Sequence, residues 1–374
     1  MTFRGRELRS TMTDDGRLSL TLEEVEIAAP GDDDLVLRVE AAPINPSDLG
    51  LLVGPADPSS VAVVPDSGPG LQLTVPQSRL HAMSARMGRS LPTGTEGAGT
   101  VVATGRNAAD LLGRRVATGA GGMYADYRKV SVDSVTPLPD GATAAQGASM
   151  SVNPMAALGL VETARREGHR AIIHTVAASS LGLMLQRICR ADGIPLVNIV
   201  RRPEQAEQLR ASGAEHVVLS SADDFFEQLV DAAEKTGATI AFDPVGGGSL
   251  GGDTLAAMEQ AALRRATGFS RYGSGVFKQL YVYGTLDLQP TVLHRRPNDY
   301  AWSVGGWHLY AFLATVGADA ERRMRERVVA ELTTTFATTY TRTVGLAEAL
   351  RPEVFAAFER RATGEKFLID PTRD

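Results

Sequence analysis

The stretch from Arg170 to Arg202 admits few folds. Ala171 to His174 is a short apolar run that reads as a buried strand. Small residues follow, Ala177, Ala178, Ser179 and Ser180, and then Leu181 and Gly182. Leu181, Met184, Leu185 and Ile188 recur at helical spacing, and Asp192-Gly193 stops that helix. Leu196 to Val200 reads as a second strand. Strand, helix and strand within about 30 residues make a βαβ unit, two parallel strands joined by a crossover helix.

The loop between the first strand and the helix has two readings. It could be an ordinary tight βα turn. It could also hold the pyrophosphate of a dinucleotide, because small residues let a ligand approach the backbone and the helix N-terminus offers free N–H groups. The dinucleotide fingerprint is G-x-G-x-x-G. Here it reads Ala177-x-Ser179-x-x-Gly182, with only the third glycine literal. The end of the second strand discriminates. A ribose with a free 2′-OH calls for Asp or Glu about 20 residues on, whereas this strand ends in Arg201-Arg202. Two guanidiniums suit a 2′-phosphate, which favours NADPH over NADH. The alternative is a solvated arginine pair ahead of the helix that begins at Pro203.

The same alternation continues. Helices are expected over Pro203 to Ala211, Asp223 to Lys235 and Leu255 to Arg265, and strands over His216 to Leu219, Thr239 to Phe242 and Lys278 to Tyr283. Such a series means a doubly wound parallel sheet, with ligands past the carboxyl ends of its strands. Ala177 to Gly182, Arg201, Gly246-Gly247 and Gly284 mark those ends.

The flanks differ. Leu18 to Ile27 and Asp34 to Ala41 alternate as strands do, with Pro30-Gly31-Asp32 as the turn between them. Asn45-Pro46-Ser47-Asp48 is a rigid turn carrying short polar groups. Residues 51–92 hold six prolines and no sustained period, and read as irregular, with one helical segment across Gln77 to Arg89. So long an irregular stretch is a binding loop or a surface insertion. Residues 93–130 are rich in glycine and in short strands, as in a small barrel. A long helical region is expected from Thr143 to Glu167, and strands over Thr338 to Val344 and at the C-terminal end.

A net charge of −6, with no basic block, argues against nucleic-acid or anionic-membrane partners. No apolar run is long enough to span a bilayer, and Met1 to Glu7 lacks a secretory apolar region, so a cytoplasmic protein is expected. Cys189 is the single cysteine, and it lies on the apolar side of the central helix as a core residue.

Seven landmarks together resemble one family. They are Asn45-Pro46-Ser47-Asp48, Glu96-Gly97-Ala98-Gly99, Met123 to Tyr127, Asn153 to Leu158, Gly213 to Val217, Phe242 to Gly247 and Thr363 to Lys366. In this order the chain resembles the zinc-independent medium-chain dehydrogenase/reductases, the NADPH:quinone oxidoreductase-like group. The loop before Gly182 is similar to that of enoyl-thioester reductases in the same superfamily. The resemblance implies a GroES-like β-barrel catalytic domain (residues 1–142 with 336–374), a Rossmann domain (143–335), NADPH as cofactor and a homodimer. It implies Ala178, Ser179, Ser180, Leu181, Gly182, Arg201, Arg202, Val245, Gly246 and Gly284 at the cofactor, and Asn45 as a donor to substrate. Tyr124 and Tyr127 are candidate proton donors.

Zinc members of the superfamily carry Gly-His-Glu where this chain has Gly94-Thr95-Glu96, together with cysteine ligands absent here. No metal is therefore expected. Without a Lewis acid, reduction of a quinone or a conjugated C=C suits the chain better than alcohol–ketone chemistry. Such a reaction calls for hydrogen-bond donors to the developing oxyanion and a proton from a side chain or water. Two alternatives stay open: an enoyl-thioester reductase and a catalytically silent NADPH-binding protein. The first would carry a tyrosine after the Asn-Pro-Ser-Asp turn, and Leu51 to Leu91 contains none. Asn153-Pro154-Met155 has Met where many relatives have Thr.

Overall fold

The computed structural model describes residues 2–64, 68–293 and 301–373. They form two compact units, 1–152 with 328–374, and 153–327.

The first unit begins with β1 (Phe3–Met12) and β2 (Arg17–Ile27), an antiparallel pair, and continues into β3 (Asp34–Pro43). A short helix α1 (Leu49–Leu52) leads into the proline-rich stretch. That stretch is more ordered than the sequence suggests. It holds β4 (Asp57–Val63), β5 (Gly70–Thr74), a single helical turn α2 (Gln77–Leu80) and β6 (Ser90–Pro92). The sheet order is β4-β5-β2-β1-β6, so the stretch adds strands to both sides of the β1–β2 hairpin. Pro58 hid β4 from a reading by alternation; an edge strand tolerates proline because one side of it makes no ladder.

β7 (Gly97–Thr104), β8 (Arg115–Thr118), β9 (Tyr127–Ser131) and β10 (Val135–Pro137) build the second sheet around β3. Leu35, Leu37 and Val39 of β3 are fully buried, with Leu8, Leu20, Val101 and Val116 in the same core.

The helix expected from Thr143 to Glu167 is two helices, α3 (Ala144–Gly147) and α4 (Asn153–Arg166). Pro154 can open a helix but cannot sit in its interior, where its missing N–H would break a bond. The N–H groups of Ser151 and Val152 bond a side chain instead. α3 packs on β3, β7 and β8, which carries the first unit to residue 152 rather than 142.

The second unit holds β11 (Ile172–His174), α5 (Ser180–Asp192), β12 (Leu196–Val200), α6 (Pro203–Ala211), β13 (His216–Leu219), α7 (Phe225–Thr236), β14 (Ile240–Asp243), α8 (Leu250–Arg264) and β15 (Lys278–Val282). The predicted strands and helices stand within a few residues of these bounds. Gly193 closes α5 in the left-handed conformation, φ 66°. Trp302–Gly306, which carried no assignment from sequence, is a sixth strand, β16, parallel to β15. The order is β13-β12-β11-β14-β15-β16, all parallel, as in a Rossmann sheet. Ala171, Ile173, Val197, Ile199, Ala241 and Leu280 bury one of its faces against α7 and α8. Cys189 is buried in α5, and burial pushes its thiol up to about 12.

Two more helices follow, α9 (Leu309–Val316) and α10 (Ala318–Ala330), and the chain re-enters the first unit within α10 at residue 328 rather than 336. Val328, Leu332 and Phe336 are buried there. β17 (Arg342–Val344), helices α11 (Leu346–Ala349) and α12 (Pro352–Glu359), and β18 (Phe367–Ile369) complete the unit. β18 pairs antiparallel with β3 and parallel with β17. The second sheet thus runs β10-β8-β7-β3-β18-β17, with β9 also on β3.

Candidate functional site

Two groups of residues could carry function, one in each unit. In the second unit they lie at the carboxyl ends of the parallel strands. After β11 the chain turns through Val176, which takes φ 53° although it is β-branched. Such a conformation is costly for valine and marks a constrained turn. Ser179 follows as N-cap of α5, its Oγ accepting from Gly182 N at 3.1 Å. A side chain at Gly182 would bring its Cβ within 2.3 Å of Ala177 O, so this glycine permits the close approach of helix to strand. Ala178 is buried, and Ser179, Ser180 and Leu181 are half-buried at the helix N-terminus.

Arg201 and Arg202 follow β12 directly and are exposed. Arg202 Nε stands 3.5 Å from Glu204, an exposed contact. At the end of β14, Asp243 is buried and acts as a clamp. Its Oδ1 accepts from Thr175 Oγ1 at 2.5 Å and Val245 N at 3.0 Å, and its Oδ2 accepts from Gly246 N at 3.1 Å. Gly246 has φ 77°, and a Cβ there would lie 2.7 Å from Gly284 O. A Cβ on Gly284 would lie 2.5 Å from Pro244 O. The predicted loops therefore converge on one edge of the sheet. The glycine freedom at this edge, the helix N-terminus and the two guanidiniums fit a phosphorylated dinucleotide.

The first unit contains a buried polar line. Lys366 Nζ donates to Asn45 Oδ1 at 2.6 Å, and Asn45 Nδ2 donates to Glu96 Oε1 at 2.8 Å. The ammonium can only donate, which settles which way the amide points. Glu96 Oε2 accepts from the N–H groups of Ser151 and Val152, both at 2.9 Å. Burial pushes the Glu96 carboxyl up to about 7 despite these donors and the nearby Lys366. It also pulls the Lys366 ammonium down. Asp48 caps the turn, accepting from Asn45 N at 2.8 Å and from Thr95 N and Oγ1 at 2.7 and 2.6 Å. Tyr340 OH lies 2.7 Å from Ser149 Oγ, and burial raises its phenol above the usual range.

Tyr124 sits wholly inside the barrel core, where its hydroxyl donates to Pro43 O at 3.0 Å. Burial, and then Asp48, raise its pKa well above the ordinary value. Its proton is thus held by the fold. Tyr127 is half-buried on β9, with its ring against Phe3. Among the described residues, no three or more His, Cys, Asp or Glu side chains are grouped so as to hold a metal.

No family model matches the chain. It is 30% identical over 209 residues to the mitochondrial enoyl-[acyl-carrier-protein] reductase of Xenopus tropicalis, covering 53% of this chain and 51% of that protein. It is 28% identical over 157 residues to a quinone oxidoreductase of Pseudomonas aeruginosa, covering 41% and 48%. The chain thus spans about half the length of these curated relatives. A solved structure from Mesorhizobium loti, assigned as an NADPH:quinone reductase, superposes over 98% of both chains with a TM-score of 0.71 at 23% identity. The match shows a shared fold, a β-barrel-type unit together with a Rossmann-ordered parallel sheet. It agrees with the fold class read from the sequence.

The loops of the second unit are legible in the sequence, whereas several polar residues of both units are not. Glu96 and Lys366 were landmarks without a role. Their signal is that each is a charged residue set directly before a strand, Glu96 ahead of Gly97-Ala98-Gly99 and Lys366 ahead of Phe367-Leu368-Ile369. His174, which ends β11, and Tyr283, which follows β15, also went unassigned, because nothing in the local sequence marks either as more than a strand-end residue.

Proposed function

We propose that the chain is an NADPH-dependent reductase of quinones or α,β-unsaturated carbonyls, working without a metal. The observation that carries this is the strained βα turn at Val176 with Arg201 and Arg202 one strand away, on the same edge of a Rossmann-ordered sheet. Ser180, Leu181 and Gly182 would hold the pyrophosphate, and Arg201 with Arg202 the 2′-phosphate. Val245, Gly246 and Gly284 would line the rest of the nucleotide. NADPH supplies a hydride when bound.

The chain's own residues would stabilise charge and handle the proton. Asn45 keeps one Nδ2 hydrogen on Glu96, and its second is the donor we assign to a substrate oxygen as negative charge develops there. Lys366 fixes the amide from the other side. Because the Tyr124 hydroxyl is engaged at Pro43 O, we assign the proton to solvent rather than to that phenol. We also propose that the protein is cytoplasmic and that it works as a homodimer, for which β16, the edge strand of its sheet among the described residues, is a place where two copies could meet.

An enoyl-thioester reductase is the second reading, favoured by the Xenopus relative. Stopped-flow oxidation of bound NADPH decides. Loss of NADPH absorbance with quinones or enones supports the first reading, and loss with crotonyl-thioesters alone supports the second. No acceptor-dependent loss would leave a silent NADPH-binding protein.

A further inference from the structure

Buried His174 and half-buried Tyr283 form a pair at the carboxyl edge of the sheet in the second unit. His174 ends β11, opposite Phe242 in register, and Tyr283 follows β15 with its N–H on Asp243 O at 3.0 Å. The two rings stack at 6.0 Å, and His174 Nε2 lies 2.7 Å from the Tyr283 hydroxyl oxygen. Trp307 meets the Tyr283 ring edge-on at 6.4 Å, with its own Nε1 on Thr163 Oγ1.

The other ring nitrogen decides who donates. His174 Nδ1 is buried and has no hydrogen-bond partner among the described residues. Burial pulls the imidazole down to about 3, so the ring is neutral and carries one N–H. If that hydrogen sat on Nδ1, a buried N–H would be orphaned. Orphaned buried N–H groups are rarer and costlier than unfilled lone pairs. The hydrogen therefore sits on Nε2 and points at the Tyr283 oxygen. The phenol then acts as acceptor toward His174 and keeps its own O–H for another partner. Burial, and then Asp243, hold that phenol protonated. Among the described residues no second partner of the hydroxyl is found.

The pair lies where open parallel sheets bind ligands, next to Gly284, whose lack of a side chain lets the two strand-end loops pack closely, since a Cβ there would lie 2.5 Å from Pro244 O. We propose that Tyr283 donates this hydrogen bond to a neutral acceptor oxygen of the bound nicotinamide nucleotide, with His174 as the positioning residue that keeps the phenolic hydrogen available. The inference rests on the nucleotide reading above.

Fluorescence titration of the whole protein with NADPH and with NADH tests it, comparing the unaltered chain with Tyr283→Phe. Loss of one neutral hydrogen bond should weaken both nucleotides by about tenfold and equally. Binding that is intact in the unaltered chain and unchanged in Tyr283→Phe overturns this proposal alone. An unaltered chain that binds neither nucleotide overturns the nucleotide reading, and this one with it. A second measurement needs no variant of Tyr283. The ring ¹⁵N shifts of His174, assigned by their absence in His174→Phe, should report a neutral ring protonated on Nε2 near pH 7. A ring protonated on Nδ1 would make Tyr283 the donor to His174 and sink the proposal.

Discussion

Lys366 Nζ stands 2.6 Å from Asn45 Oδ1, although 321 positions separate the two residues in the chain. The contact is possible because β18 pairs with β3, bringing Ile369 opposite Ala42 and Leu368 opposite Pro43. The ammonium is nearly enclosed, and its hydrogen bond fixes the amide that the proposed chemistry needs.

That geometry makes Asn45 the most sensitive position in the first unit. Asn45→Ala should lower kcat by roughly 10²-fold or more, the usual effect of losing an oxyanion donor, with little change in NADPH affinity. Lys366→Met should lower kcat less, because the amide loses its restraint but keeps its N–H. Steady-state kinetics with a quinone, alongside NADPH titration, check both. An Asn45→Ala enzyme with undiminished kcat would remove the amide from the reaction.

Glu96 should make stability depend on pH. Its carboxyl is raised from 4.5 to about 7 in the folded protein, chiefly by burial. The native state therefore holds a proton that the unfolded chain releases, and stability falls as pH rises between about 4.5 and 7. The contribution is on the order of 3 kcal/mol. Glu96→Gln keeps the size and an oxygen acceptor but cannot ionise, so its urea midpoint should vary less across that window. An unchanged slope would place the titration elsewhere.

Arg201→Ala with Arg202→Ala should weaken NADPH binding by about 10²-fold, since charge-assisted hydrogen bonds contribute roughly 1.5–3 kcal/mol each, and should leave NADH binding nearly as it was. Isothermal titration with the two nucleotides measures this. Equal losses for both would mean the guanidiniums do not meet the 2′-phosphate.

Gly182→Ala tests the βα turn itself. The new methyl would sit 2.3 Å from Ala177 O, a backbone atom that can yield only if α5 shifts from the sheet. A loss of about 1–3 kcal/mol is expected, the usual range for overpacking, together with weaker nucleotide binding. Denaturant unfolding of the second unit would show it, and full stability would mean the helix slides at little cost.

The second unit was legible because its signals are local. Its central strands β11, β12 and β14 are largely apolar runs, and Pro203, Gly193 and Gly213 set helix ends that the structure reproduces. The first unit was less so. β1 carries Arg4, Arg6 and Arg9 along a strand that pairs through its backbone, so composition hides it. β4 was masked by Pro58, and β16 by two glycines and an exposed tryptophan. Asn45 was found through its motif. Its partners Glu96 and Lys366 were not, since their meeting depends on long-range strand pairing that no local pattern encodes.

β18 has a consequence for how the protein is made. Residues 153–327 form one continuous segment, able to leave the ribosome and close as a unit while the strand bearing Phe367 to Ile369 is still unsynthesised. Until that strand arrives, β3 lacks a neighbour and Asn45 lacks its ammonium. The nucleotide-type unit is thus free to mature first, and the polar line around Asn45 is among the last features of the molecule to come into being.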